Sequence, residues 1–282
     1  MEKPTNASGY TTEAVKLARA TCLYVATKLG DLRDEFAIVG GLVPSLLIPQ
    51  EVLDESQPTH VGTMDVDLGL AIAVLTEKRY QEICERLKSA GFRPDENAEG
   101  NQTNQRWRID VESHAVTVDF LIPPTQEKDK GGRLKNLEAD FAAIITPGLE
   151  LAFQDFERVE IDGETIHGEK ARREVRVCGP GAFVVLKSLA FDGRGENKDA
   201  YDLIYLIQNY GSDETEIANR IDRLRDNEMT SRALEILTRD FDDLDSLGPR
   251  RVAEFLGEPD NTNIRADAAG SVRSLMSHLG RP

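Results

Sequence analysis

The chain has 282 residues, 40% of them hydrophobic and 30% charged, which is enough to build a core in one large domain or two modest ones. Its formal net charge of −16 argues against a general nucleic-acid coat, which needs a basic footprint, but leaves room for a local basic groove. Cys22, Cys84 and Cys178 are odd in number and lack any C-x-x-C zinc spacing, so a reducing cytosol is the expected compartment.

Met1 to Tyr10 is polar and carries no secretion-type apolar region, and no apolar run reaches membrane-spanning length. A cytoplasmic protein with no membrane partner is therefore expected. Thr11 or Thr12 caps a helix to about Leu29, with an apolar stripe of Val15, Ala18, Cys22, Val25, Ala26 and Leu29 and a stop at Gly30. Phe36 to Val39 reads as a short buried strand, followed by Gly40-Gly41 and an apolar helical turn from Leu42 to Ile48. A polar loop over 50–62 leads to Thr63-Met64-Asp65-Val66-Asp67-Leu68, which opens an apolar run to Leu75 and reads as a strand. Glu77 to Ala90 has helical periodicity, with Tyr80, Ile83, Cys84 and Leu87 inward and Gly91 beyond its end.

Trp107 to Val111 and Ala115 to Leu121 read as a hairpin around Glu112-Ser113-His114. Residues 125–138 read as a mobile polar loop containing Gly131-Gly132. Glu150 to Phe156 reads as a short helix or strand. Val159 to Ile161 and Val175 to Val177 read as small strands, the first closed by an Asp162-Gly163 turn. From Pro180 onward the pattern is helical, so the expected division is a mixed α/β part over 1–178 and a helical part over 179–282. His60, His114, His167 and His278 are scattered and read as surface or turn residues.

Side chains alternate on a strand, so Asp65 and Asp67 share one face and Val66, Leu68 and Leu70 the other. Two carboxylates about 7 Å apart on one face repel, and a cation between them relieves the repulsion. Hard oxygen ligands suit Mg²⁺. Thr117 and Asp119 share a face of the second hairpin strand, so Asp119 is a candidate third carboxylate for one or two ions if that strand neighbours the first; a polar residue on an edge strand is the other reading. Glycines after a strand, as at Gly40-Gly41, let a phosphate approach the backbone; an ordinary tight turn is the other reading. Lys187 lies on an otherwise apolar helix stretch, where a lysine must snorkel or meet an anion. Asp199 and Asp202 sit three apart in the next helix, near one face, where acids also favour the helix dipole.

Val39-Gly40-Gly41 and Gly62-Thr63-Met64-Asp65-Val66-Asp67-Leu68 resemble the nucleotidyltransferase superfamily that includes DNA polymerase β and the minimal nucleotidyltransferases. Leu186-Lys187-Ser188-Leu189-Ala190 and Lys198-Asp199-Ala200-Tyr201-Asp202-Leu203 resemble motifs of its AbiEii-type toxin branch. The resemblance runs from residue 36 to about 210. It implies an α/β (α+β) nucleotidyltransferase fold, a mixed sheet flanked by helices with a helical C-terminal part. It implies Mg²⁺-dependent transfer of an NMP from an NTP to an acceptor hydroxyl, with a tRNA 3′ end as one acceptor and a cognate antitoxin protein as one partner. Asp65 and Asp67, with Asp119, would hold metal. Gly40, Gly41, Thr63, Lys187 and Lys198 would bind the nucleotide, and Asp202 would match the acid of the last motif. The long loop between Gly41 and Asp65 departs from the pattern, and Asp119 has no firm counterpart in the branch. NMP transfer to a protein hydroxyl, or a catalytically silent binding or antitoxin module, are the other expectations. Basic residues at Arg106 and Arg108, at Lys128, Lys130, Arg133 and Lys135, and at Lys170, Arg172, Arg173 and Arg176 are candidates for holding an RNA end, or form solvated faces.

Overall fold

The computed structural model describes residues 4–49, 59–71, 77–97, 99–111, 114–138 and 141–280. The protein is mixed α/β, a mixed sheet flanked by helices with a helical C-terminal part. It forms two compact units, one of residues 12–42 and 63–178, the other of residues 1–11, 43–62 and 179–282. The chain thus crosses between them at 11/12, 42/43, 62/63 and 178/179.

The first unit holds a sheet of nine strands among the described residues. They are β1 (Phe36–Val39), β2 (Asp65–Leu70), β3 (Arg93–Glu96), β4 (Gln102–Val111), β5 (His114–Ile122), β6 (Leu134–Glu138), β7 (Phe141–Ile145), β8 (Phe156–Glu164) and β9 (Lys170–Cys178). The main order is β3-β4-β5-β2-β1-β9-β8, with β7 beside the end of β5 and β6 beside β7. Pairing is parallel for β2 with β5 and for β1 with β9, and antiparallel for β1 with β2, β4 with β5 and β8 with β9. Helix α1 (Thr12–Leu29) carries the expected stripe: Ala18, Cys22, Val25, Ala26 and Leu29 are buried, and Gly30 follows with φ 54°. Cys22, Val25, Ala26 and Leu29 of that stripe line a small cavity together with Phe36, Ile38, Leu68 and Val175 of the sheet. Between β2 and β3 lies a second helix, Glu77–Ser89, with Tyr80, Ile83, Cys84 and Leu87 buried. Gly91, at φ 88°, turns the chain out of it.

Several expectations need correction. The stretch read as a mobile loop is only partly loop, because Leu134–Glu138 pairs antiparallel with β7. Neither β7 nor β3 was foreseen. The Asp162-Gly163 pair lies inside β8, opposite Arg172 and Ala171, and the turn comes at Thr165 to Glu169 instead. His114 belongs to β5, pairing with Val111, while Glu112 and Ser113 lie outside the described residues, as do residues 72–75 of the apolar run and 50–58 of the polar loop.

The second unit is helical: α2 (Val43–Leu47), α5 (Pro180–Arg194), α6 (Asn197–Asn209), α7 (Glu214–Asp222), α8 (Glu228–Phe241), α9 (Leu247–Phe255) and α10 (Thr262–His278), where α3 denotes the Glu77–Ser89 helix and α4 the short Leu151–Gln154 helix of the first unit. Phe191 packs on Phe241 with ring centroids 5.4 Å apart, and Tyr201 on Phe255 at 4.8 Å. Asp192-Gly193-Arg194 forms the last turn of α5, with Gly195 in the left-handed region closing it. Asp192 accepts hydrogen bonds from Arg232 and Arg239 of α8. No described helix is long and apolar enough to cross a membrane.

Candidate metal centre

Strand register builds the site. Val39 lies opposite Asp67, Asp67 opposite Asp119, and Asp119 opposite Arg106. Partners across a ladder project to the same face, so Asp67, Asp119 and Arg106 stand side by side on one rung. Asp65 joins from the adjacent rung, where it pairs with Thr117. Oxygens of the three carboxylates all lie within 4.8 Å of one another. Asp65 and Asp119 are buried and Asp67 is half-buried. Thr63 Oγ1 donates to Asp65 Oδ1 at 2.7 Å, which fixes that carboxylate's orientation. On the other face of the same strands Val66, Trp107, Val118 and Phe120 are fully buried. Phe141 meets Phe120 edge-on at 4.8 Å and Trp107 at 6.0 Å, so the acids stand on a close-packed aromatic floor.

Arg106 closes the group. Its Nε and Nη2 donate to the two oxygens of Asp119, each at 2.7 Å, in the parallel two-bond geometry that a guanidinium offers a carboxylate. These hydrogen bonds, above all, hold the guanidinium's pKa above its ordinary value; burial opposes the shift, and the charges of Asp119, Asp65 and Asp67 add to it. Arg106 is thus the guanidinium that these three carboxylates face.

The glycine pair joins β1 to a short helix beside the carboxylates. The helix after it, α2, has five residues, too short for much of a dipole at its N-terminus. Gly40 matters for space: its φ is 70°, and a Cβ placed on it would lie 1.9 Å from Asp67 Oδ2. Only glycine lets the chain leave β1 with the Asp67 carboxylate lying against its backbone. Gly41 is buried in the same turn, Gly40–Leu42.

Lys187, Lys198 and Asp202 come together in the other unit. Lys187 Nζ donates to Asp199 Oδ1 and Asp202 Oδ2, both at 2.9 Å, and is buried more deeply than its apolar neighbours Leu186 and Leu189. Burial alone would lower its pKa, but Asp199 and Asp202 overcome that and hold it above the ordinary lysine value. Lys198 also donates to Asp202, while burial pulls its own pKa down. Arg194 donates to both oxygens of Asp199, at 2.5 and 2.7 Å. Asp199 is held near a pKa of about 2: burial pushes it up, and Lys187 and Arg194 outweigh that.

His60 completes this network and is a core residue, not the surface or turn residue that the sequence suggests. It is buried, its Nδ1 accepts from the Gly62 N–H at 3.1 Å, and its Nε2 lies 2.8 Å from Asp202 Oδ1. An accepting Nδ1 leaves Nε2 to carry the proton and donate it to Asp202. Burial pushes the imidazole pKa down to about 4, so the ring is neutral at neutral pH. The unfolded chain takes up that proton near pH 6.5 and the folded chain only near 4, so acidification through this window favours unfolding. The loss is on the order of 3 kcal/mol, complete near pH 4. Asp199 adds its own loss only below its ordinary pKa of 3.8. Melting curves from pH 7 to 4 should therefore fall more steeply for the native protein than for His60→Gln. Parallel curves would show that His60 is not the group being titrated.

No family model and no curated protein matches the sequence. The site is therefore judged on its donors. Asp65, Asp67 and Asp119 offer hard oxygens close together and partly desolvated, which is the donor chemistry that Mg²⁺ takes. Arg106, grouped by sequence with basic residues for RNA, belongs to this cluster instead. Other members of the basic clusters are also bound to acids: Arg108 to Asp110 and Asp95, Lys135 to Asp129, and Arg172 to Asp162 and Glu160. Lys128, Lys130 and Arg133 are exposed.

Proposed function

We propose that the protein is a Mg²⁺-dependent nucleotidyltransferase that moves an NMP from an NTP to an acceptor hydroxyl. The observation that carries this is the meeting of three carboxylates, from two neighbouring parallel strands, within 4.8 Å. Asp65, Asp67 and Asp119 would hold one or two ions. Bound there, Mg²⁺ would offset triphosphate charge and make the acceptor hydroxyl a better nucleophile. Thr63 orients Asp65, Gly40 leaves room beside Asp67, and the aromatic floor keeps the three carboxylates fixed relative to one another. The resemblance of the motifs extends the proposal to a toxin or phage-defence role, with a tRNA 3′ end as acceptor and an antitoxin protein as partner.

One observation favours a second reading, a binding or antitoxin module without catalysis. Arg106 already neutralises Asp119, which is how a purely structural acid is held. Incubation with each α-labelled NTP, Mg²⁺ and either total RNA or cell protein separates the readings. Label in RNA with release of pyrophosphate is the expected result. Label in protein would move the acceptor class to a protein hydroxyl. No transfer from any NTP would overturn the enzyme reading in favour of the binding module.

A further inference from the structure

Arg106 and Asp119 are paired in a way that conflicts with a metal on the same carboxylate. Both Asp119 oxygens face the guanidinium at 2.7 Å, while one or both are wanted as metal ligands. The pair differs in exposure: the Asp119 side chain is 6% exposed and the Arg106 side chain 32%. The carboxylate is fixed in the sheet, whereas the arginine is long, partly in solvent, and able to swing. Its neighbour on the same face of β4, Arg108, is already engaged by Asp110 and Asp95 and does not reach the cluster's acids by any such bond.

We propose that Arg106 is an exchangeable counter-ion, holding Asp119 until a divalent cation takes that carboxylate and then binding a phosphate oxygen of the substrate. The second half rests on the nucleotidyltransferase reading; the first half does not. A guanidinium suits both positions, since carboxylate and phosphate present the same two-oxygen edge to its fork. The exchange also keeps charge balanced. Arg106 neutralises an acid when the acids are otherwise in excess, and neutralises phosphate when a cation has taken over the acids. It also keeps a cation beside the carboxylates that would hold the metal.

This predicts effects of opposite sign from one substitution. In the full chain, Arg106→Gln should bind Mn²⁺, followed by its electron paramagnetic resonance signal, about tenfold more tightly, because a competitor for Asp119 is gone. The same variant should bind inorganic pyrophosphate, in saturating Mg²⁺, about tenfold more weakly. Arg108→Gln should change neither. A variant that binds Mn²⁺ no better than the native protein overturns the counter-ion role. Tighter Mn²⁺ with unchanged pyrophosphate affinity overturns the phosphate role. If the native protein binds Mn²⁺ but no pyrophosphate and no NTP, the nucleotidyltransferase reading fails while the counter-ion half is still decided by the Mn²⁺ comparison. A measurement on the native protein guards against a variant that does not fold. The slowly exchanging arginine Nε–H resonance, absent in Arg106→Lys, should exchange faster with water when Mg²⁺ is added and slow again when pyrophosphate follows. Exchange unaffected by Mg²⁺ overturns the proposal.

Discussion

Asp67→Asn is expected to lower the proposed nucleotidyl transfer by a factor on the order of 10³ while leaving the fold intact. The substitution removes one ligand charge and almost no volume. Asparagine fits where aspartate does, against the bare backbone of Gly40, where even a methyl group would collide. Stability should hold or rise slightly, because three carboxylates facing one guanidinium repel each other and one is neutralised. Divalent-ion affinity should fall with activity. Circular dichroism and melting establish the fold, and pyrophosphate release measures turnover. Transfer at the native rate in this variant would mean that the carboxylate cluster is not where the chemistry happens.

Lys187→Ala should have its largest effect on stability. The amine is the shared partner of Asp199 and Asp202, all three side chains being at most 8% exposed. Removing it leaves two buried carboxylates short of a counter-charge, a loss of about 3–5 kcal/mol and roughly 10 °C or more in melting temperature. Asp199 keeps Arg194, and Asp202 keeps Lys198 and His60, so the network is weakened and not abolished. Lys187→Met combined with Asp202→Asn should recover part of the loss, since charge and partner leave together. The motif resemblance assigns Lys187 to substrate phosphate instead. An unchanged melting temperature with weakened NTP binding would favour that assignment.

The acids of the candidate metal centre were legible because period-two alternation is a strong signal: Asp65-x-Asp67 before an apolar run, and Thr117-x-Asp119 within one. Arg106 was not, for want of one residue in the hairpin. A three-residue turn sets Val111 opposite Ala115 and carries Arg106 past Asp119; with Val111 opposite His114, each step back along β4 and forward along β5 leads to Arg106 opposite Asp119. Strand β3 reads Arg-Pro-Asp-Glu, with no apolar alternation, and is tolerated as an edge strand whose register shifts between Pro94 and Asp95. Strand β7 is rich in alanine, a poor strand former, and only its burial beside β5 and β6 makes it a strand. His60 gave no signal, because its partner lies in a helix far along the chain.

That distance has a consequence during synthesis. His60 and Asp202 are separated by 142 positions. At about 5–20 residues per second, the histidine leaves the ribosome roughly 7–28 s before the aspartate that it will bond. In that interval the sheet strands made between them can pair, yet the unit to which His60 belongs still lacks all its long helices. A nascent chain halted before residue 180 would therefore carry every strand of the sheet and the carboxylate cluster, while His60 still lacks Asp202. Maturation of this protein should consequently depend on completing translation of the last third, even though every acid of the candidate metal centre has been made long before.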